Sequence, residues 1–145
     1  MATYNKFQPF IAAVAHKEHD LENDQLAIAL LPSGSAPTNT MSGWSQISGS
    51  EIGNYANLSG GTTALNVSTS ASSQTGGVYT LVLEDMTLTA SGTVGPFRYV
   101  VLYNKTASAG DNNLIGWWDY GASVTMADTE TFDIDFSAYT VRISG

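Results

Sequence analysis

The sequence predicts a mainly β, single-domain β-sandwich of jelly-roll or Ig-like type, with one short N-terminal amphipathic helix, and three observations carry that prediction. The 145 residues and 15.3 kDa fit one domain able to bury roughly 70% of the surface its unfolded chain exposes. Charged residues make up only 12%, against about 25% in an average globular protein, and Gly, Ser, Thr and Asn fill the gaps between apolar runs, as many turns require. After Gly61, short strand-like runs recur roughly every 8–12 residues with turn residues between them and no helical pattern, which favours a sandwich or barrel over a parallel sheet. No repeat or linker divides the chain. Residues 1–24 are therefore read as an N-terminal helical segment and 25–145 as the sandwich.

Taken in order, Phe7, Phe10, Ile11 and Val14 follow the i, i+3, i+4, i+7 stripe of an amphipathic helix of about three turns, with Pro9 where a first turn tolerates it. The charged stretch 16–24 ends that helix and leads into the continuous apolar run 26–31, a first strand closed by Pro32, Ser33 and Gly34. Residues 32–61 read as long loops around one short strand. Further strands are predicted at 64–68, 78–84, 86–90, 98–104, 114–119, 124–126, 131–136 and 140–143. In 131–136, Phe132, Ile134 and Phe136 alternate with Asp133 and Asp135, giving one wet face. The runs 98–103 and 114–120 are apolar or aromatic on both faces and want cover on both. Gly95 and Pro96 read as a turn entering a strand, and Arg98 as the partner of an acidic residue such as Asp119.

Composition removes whole classes of chemistry. With no cysteine there is no disulfide, thiolate metal site or cysteine nucleophile. A net charge of -8 repels phosphates and anionic head groups, so neither nucleic acid nor membrane is expected as a partner. The apolar run 10–15 is too short for a spanning helix or a signal-peptide core. His16 and His19, beside Glu18 and Asp20, are read as a solvated helix end rather than zinc ligands. The serines lack a nucleophile elbow, Asp133 and Asp135 read as a solvated strand face, and the acidic residues 128–135 lack the spacing of a calcium loop. No catalytic, cofactor-binding or metal-ligating residue is assigned, and the chain is read as a non-enzyme.

Aromatic residues carry the functional signal. Neighbours on a strand point to opposite faces, so Trp117 and Trp118 cannot enter one core together. The one left over needs a helix or loop of the same chain, a subunit interface or a ligand. The candidate interface residues are Phe7, Phe10, Arg98, Tyr99, Tyr103, Trp117, Trp118 and Tyr120, and the candidates for stacking on a sugar ring are Trp44 and Trp118.

Four segments, Tyr4 to Phe10 (Y-N-K-F-Q-P-F), Thr89 to Gly92 (T-A-S-G), Gly95 to Asn104 (G-P-F-R-Y-V-V-L-Y-N) and Leu114 to Gly121 (L-I-G-W-W-D-Y-G), resemble a group of small structural proteins of tailed bacteriophages and prophages. Gly53, Asn54 and Tyr55 depart from the G-N-G-Y of that group. The resemblance implies a virion protein, made in the bacterial cytoplasm and carried on the phage particle. A capsid decoration or cement protein is the first expectation, with the major capsid protein or another virion protein as partner and a homo-oligomer, dimer or trimer, as the assembled form. A receptor- or carbohydrate-binding module of the tail or fibre is the alternative.

Overall fold

A computed structural model describes residues 3–53, 55–58, 65–106, 113–136 and 141–144. In chain order the elements are β1 (Thr3–Lys6), α1 (Pro9–Ala15), β2 (Leu26–Leu31), β3 (Leu65–Val67), β4 (Thr69–Thr75) and β5 (Val78–Leu83). They continue with β6 (Met86–Thr89), β7 (Val94–Asn104), β8 (Leu114–Met126), β9 (Thr131–Ile134) and β10 (Val141–Ser144). The chain is mainly β, in antiparallel sheets, as the strand-like runs predict. Among the described residues no helix is long and apolar enough to cross a membrane.

The largest sheet runs β1-β8-β7-β2-β3, and its sequence explains its order. All six residues of β2 are apolar and buried, so this strand needs neighbours at both edges and cover on both faces. It finds β7 along its whole length, from Leu26 opposite Asn104 to Leu31 opposite Tyr99. Residues 99–104 of β7 are likewise buried without interruption. β8 then aligns Trp118 with Val100 and Trp117 with Val101, and β1 adds Tyr4 opposite Trp118 and Asn5 opposite Trp117. The two tryptophans therefore face opposite sides of the sheet.

A three-stranded sheet, β10-β5-β4, and the two-stranded β6-β9 complete the sandwich-like arrangement. Leu81, Leu83, Leu88, Ile134, Phe136 and Val141 join the residues of the large sheet in one hydrophobic cluster. In β9 and just beyond it, Phe132, Ile134 and Phe136 turn inward while Asp133 and Asp135 are exposed. Edge-to-face contacts of Phe132 with Phe97 at 5.2 Å and of Phe136 with Trp118 at 5.5 Å hold β9 and the residues after it against β7 and β8.

Several elements differ from the sequence reading. The first described residues form β1 rather than a helix, because a strand place is open beside β8. With Pro9 at its start, α1 has seven residues, about two turns, and Phe7 lies before it. Its buried residues are Phe10 and Ala13, whereas Ile11 is 45% exposed, so the inward stripe is rotated from the one expected. The polar β4 has no counterpart among the strands that the sequence predicts. Segments 114–119 and 124–126 are one continuous β8, which passes through Gly121 at φ +91. Gly95 and Pro96, joined by a cis peptide bond, lie inside β7 at a bulge rather than in a turn before it. At Gly95, φ is +109 and a Cβ would stand 2.5 Å from the Val124 carbonyl oxygen, so only glycine fits. In place of a short strand, the described part of 32–61 holds three 3-10 turns, Trp44–Gln46, Ser48–Ser50 and Tyr55–Asn57. Residues 64 and 140, the ends of two predicted strands, lie outside the described residues.

Candidate functional site

The groups singled out above fall into three places. The first is the loop that finishes the edge of β2. β3 pairs only with Leu26, Ala27 and Ile28, which leaves the backbone of Leu30 to be satisfied otherwise. Ile52 N–H donates to the Leu30 carbonyl at 3.1 Å, and Leu30 N–H donates to Tyr55 Oη at 2.7 Å. The Tyr55 hydroxyl in turn donates to Glu51, whose Oε1 accepts Trp44 Nε1–H at 3.3 Å. Trp44 is half-buried and stacks on Tyr103 at 6.1 Å. Burial pushes the Glu51 carboxyl up, and the hydrogen bonds from Trp44 and Tyr55 only partly draw it back. Burial also raises the Tyr55 hydroxyl, and it pushes Tyr103 up to about 12. Glu51 is thus a carboxylate whose acceptor capacity is used to hold a loop.

The second place is a buried polar hub at the end of β7. Asn104 is fully buried. Its Oδ1 accepts Thr106 N–H at 3.0 Å, which fixes the amide orientation and directs Nδ2 to Asp24 Oδ2 at 2.6 Å and to His19 Nδ1 at 3.1 Å. Nδ1 of His19 therefore accepts, and its ring lies edge-on to Phe10 at 5.1 Å. Asn113 donates to the Asn104 carbonyl at 3.2 Å and accepts Trp44 N–H at 2.7 Å. The hub thus ties the segment after α1, the β7–β8 end and the Trp44 loop together. His19 belongs to this interior, not to a solvated helix end, while His16 is exposed. Among the described residues no group of three His, Asp or Glu side chains is placed to hold a metal ion.

The third place is the outer half of β8. Arg98 grips Asp119 through Nε to Oδ1 at 2.8 Å and a second N–H, on Nη2, to Oδ2 at 3.0 Å, and its guanidinium lies 5.4 Å from the Tyr99 ring centre. Hydrogen bonds from Arg98 and from Gly121 N–H hold the Asp119 carboxyl below its ordinary range. On the Trp118 side, the rings of Tyr4 and Phe136 flank the indole at 5.0 and 5.5 Å, and Tyr120 meets Phe132 at 5.2 Å. Trp118 is half-buried, Tyr4 is 37% exposed and Tyr120 is 50% exposed.

These placements sort the candidate residues. Phe7, Phe10, Tyr99 and Tyr103 lie within the chain's own core, so the surface open to a partner is carried by Trp118, Tyr120 and the half-buried Arg98. Trp117, on the opposite face, is half-buried as Trp118 is and lies edge-on to Tyr99 at 5.9 Å. Sequence reasoning missed Glu51, Tyr55, Asn104 and Asn113, since a lone Glu, Tyr or Asn in a loop-rich region carries no local sign of burial. Comparison with protein-family models, curated proteins and solved structures returned no match.

Proposed function

We propose that this chain is a non-enzymatic structural protein of a tailed-phage particle, a decoration or cement protein that binds the outer shell at junctions between major capsid subunits. The observation that carries the reading is where the family-like segments fall. Three of the four segments, residues 4–10, 95–104 and 114–121, hold most of β1, most of β7 and the first part of β8, which are hydrogen-bonded neighbours in the large sheet, and the fourth, 89–92, ends β6 outside it. The resemblance therefore tracks the residues that build a scaffold, and a shared scaffold supports a role in which the rigid fold is itself the working part.

The physical properties of the molecule suit that role. A net charge of -8 keeps copies apart and soluble before assembly. Central strands buried on both faces, tied by the Asn104 hub, give a stiff body. Such a body adds contact across a junction and opposes its opening under internal pressure. The experiment is addition of the purified chain to particles that lack it. Saturable binding that raises the temperature at which the particles release their genome is expected; neither binding nor protection would contradict the proposal.

One observation favours a second reading, a carbohydrate-binding module of the tail or fibre: the half-exposed ring line of Tyr4, Trp118 and Tyr120. Trp44, the other stacking candidate, has one ring face on Tyr103 and its Nε1 on Glu51. Saturable binding on a glycan array, lost in Tyr120→Ala, Trp118→Ala or Trp44→Ala variants that stay folded, would favour this reading over the first.

A further inference from the structure

Strand β4 is held by its backbone and almost nothing else. Of its seven residues, Ser70, Ala71, Ser73, Gln74 and Thr75 are exposed, Thr69 and Ser72 are half-buried, and none is buried. It lies at the end of its sheet and is bonded only to β5. Among the described residues its one side-chain hydrogen bond, between Ser72 Oγ and Tyr79 Oη at 3.0 Å, also goes to β5. The hairpin turns tightly through Gly76 and Gly77, with φ +58 and +81, the two-residue turn that left-handed glycines favour. With so little side-chain burial, this arm relies on its backbone ladder to β5. Proteins usually guard such an edge with lysine, proline or inward charge. The sequence T-S-A-S-S-Q-T has none of these, and the only irregularity is a register shift between Thr69 and Ala71, far from the turn.

We propose that the free edge of β4 is an interaction surface whose partner is the same edge of a second copy, antiparallel across a two-fold axis. The two three-stranded sheets then join into one of six strands. The alternation that begins with the Thr75–Val78 pair beside the turn directs the backbone N–H and C=O groups of Ser72 and Gln74 outward. Among the described residues nothing is hydrogen-bonded to that side of the strand. The choice of a second copy rests on charge and symmetry. Copies bearing -8 each repel over most of their surface, whereas an uncharged strand laid against itself has no like-charge pair. An antiparallel strand facing its own copy is also the self-complementary arrangement that closes on a two-fold axis. The assembly is then a dimer rather than a trimer. This inference rests on the geometry of the edge and does not depend on the virion role.

Gln74→Pro tests it, because proline is tolerated where its missing N–H would point outward from an edge strand, so the ladder to β5 survives. Gln74→Lys puts a like charge from each copy beside the proposed seam. Light-scattering mass across a concentration series is expected to rise from 15.3 kDa towards twice that value for the natural chain. Both variants should hold the single-chain mass throughout, with unchanged circular dichroism, and added salt should restore part of the association of Gln74→Lys. A natural chain that stays monomeric, a trimer, or variants that associate as the natural chain does would overturn the proposal.

Discussion

Tyr55 does for Leu30 with one hydroxyl what a longer β3 would do with its backbone. Tyr55→Phe leaves the Leu30 N–H without an acceptor and should cost about 1–3 kcal/mol, read from the denaturant midpoint; an unchanged midpoint would show that this bond holds nothing. Glu51, beside it, acts in the opposite sense. Burial raises its carboxyl above the ordinary 4.5, so whatever stability the site contributes is fully present below that pH and is lost as pH climbs through the raised value. Glu51→Gln keeps an acceptor for Trp44 and removes the charge. It should be at least as stable as the natural chain at pH 7 and gain nothing at pH 4, and a variant destabilised at pH 7 would contradict this. Trp117 offers a third test: its Nε1 is buried with no acceptor among the described residues, a cost of roughly 1–3 kcal/mol. Trp117→Phe should accordingly be neutral or stabilising, apart from lost ring area; a large loss in melting temperature would mean the indole N–H is satisfied. At this scale the Arg98–Asp119 pair was legible because cations are scarce and the two residues sit on facing strands. The Asn104 hub was not, because the partners of the asparagine, Asp24 and His19, are 80 and 85 residues away in sequence.

At the level of elements, the β1–β8 contact depends on what Gly116 lacks. A Cβ there would collide with the Tyr4 ring, which crosses the glycine from the neighbouring strand. Gly116→Ala should therefore destabilise by about 1–3 kcal/mol, as overpacking does, and combining it with Tyr4→Ala should cost less than the sum of the single changes. Additive losses, measured by equilibrium unfolding, would show that the ring does not occupy that space. Strands whose signal is apolar content, β2, β5, β6 and β9, were legible from the sequence, as was the alternation of Phe132, Ile134 and Phe136 against two aspartates. β1 and β4 were not, since T-Y-N-K and T-S-A-S-S-Q-T have no apolar period and are extended because of the strands beside them. The pair Gly76 and Gly77 was the available signal for the β4–β5 hairpin. The rotation of α1 has a similar cause: Pro9 sets where the helix starts, which fixes Phe10 and Ala13 inward and leaves Ile11 outside.

For the molecule as a whole, the two-sided apolar strands invite an explanation by assembly, but the chain covers most of that surface itself. Among the described residues only Tyr4, Ile11 and Tyr120 remain as exposed large hydrophobic residues. Among the described residues, what the molecule offers a partner is a stiff, acidic body with a short aromatic line and the bare edge of β4. Attachment to a shell through those features, under the proposed role, should be weakened by Tyr120→Ala without loss of fold; binding to particles that is unchanged in that variant would place the contact elsewhere. The central claim, that the protein is a shell component present at junctions, is tested most directly by its copy number relative to the major shell protein in purified particles, measured by quantitative mass spectrometry. A ratio close to that of the shell protein is the predicted result. A few copies per particle, or none, would contradict it and move the chain to the tail or out of the virion.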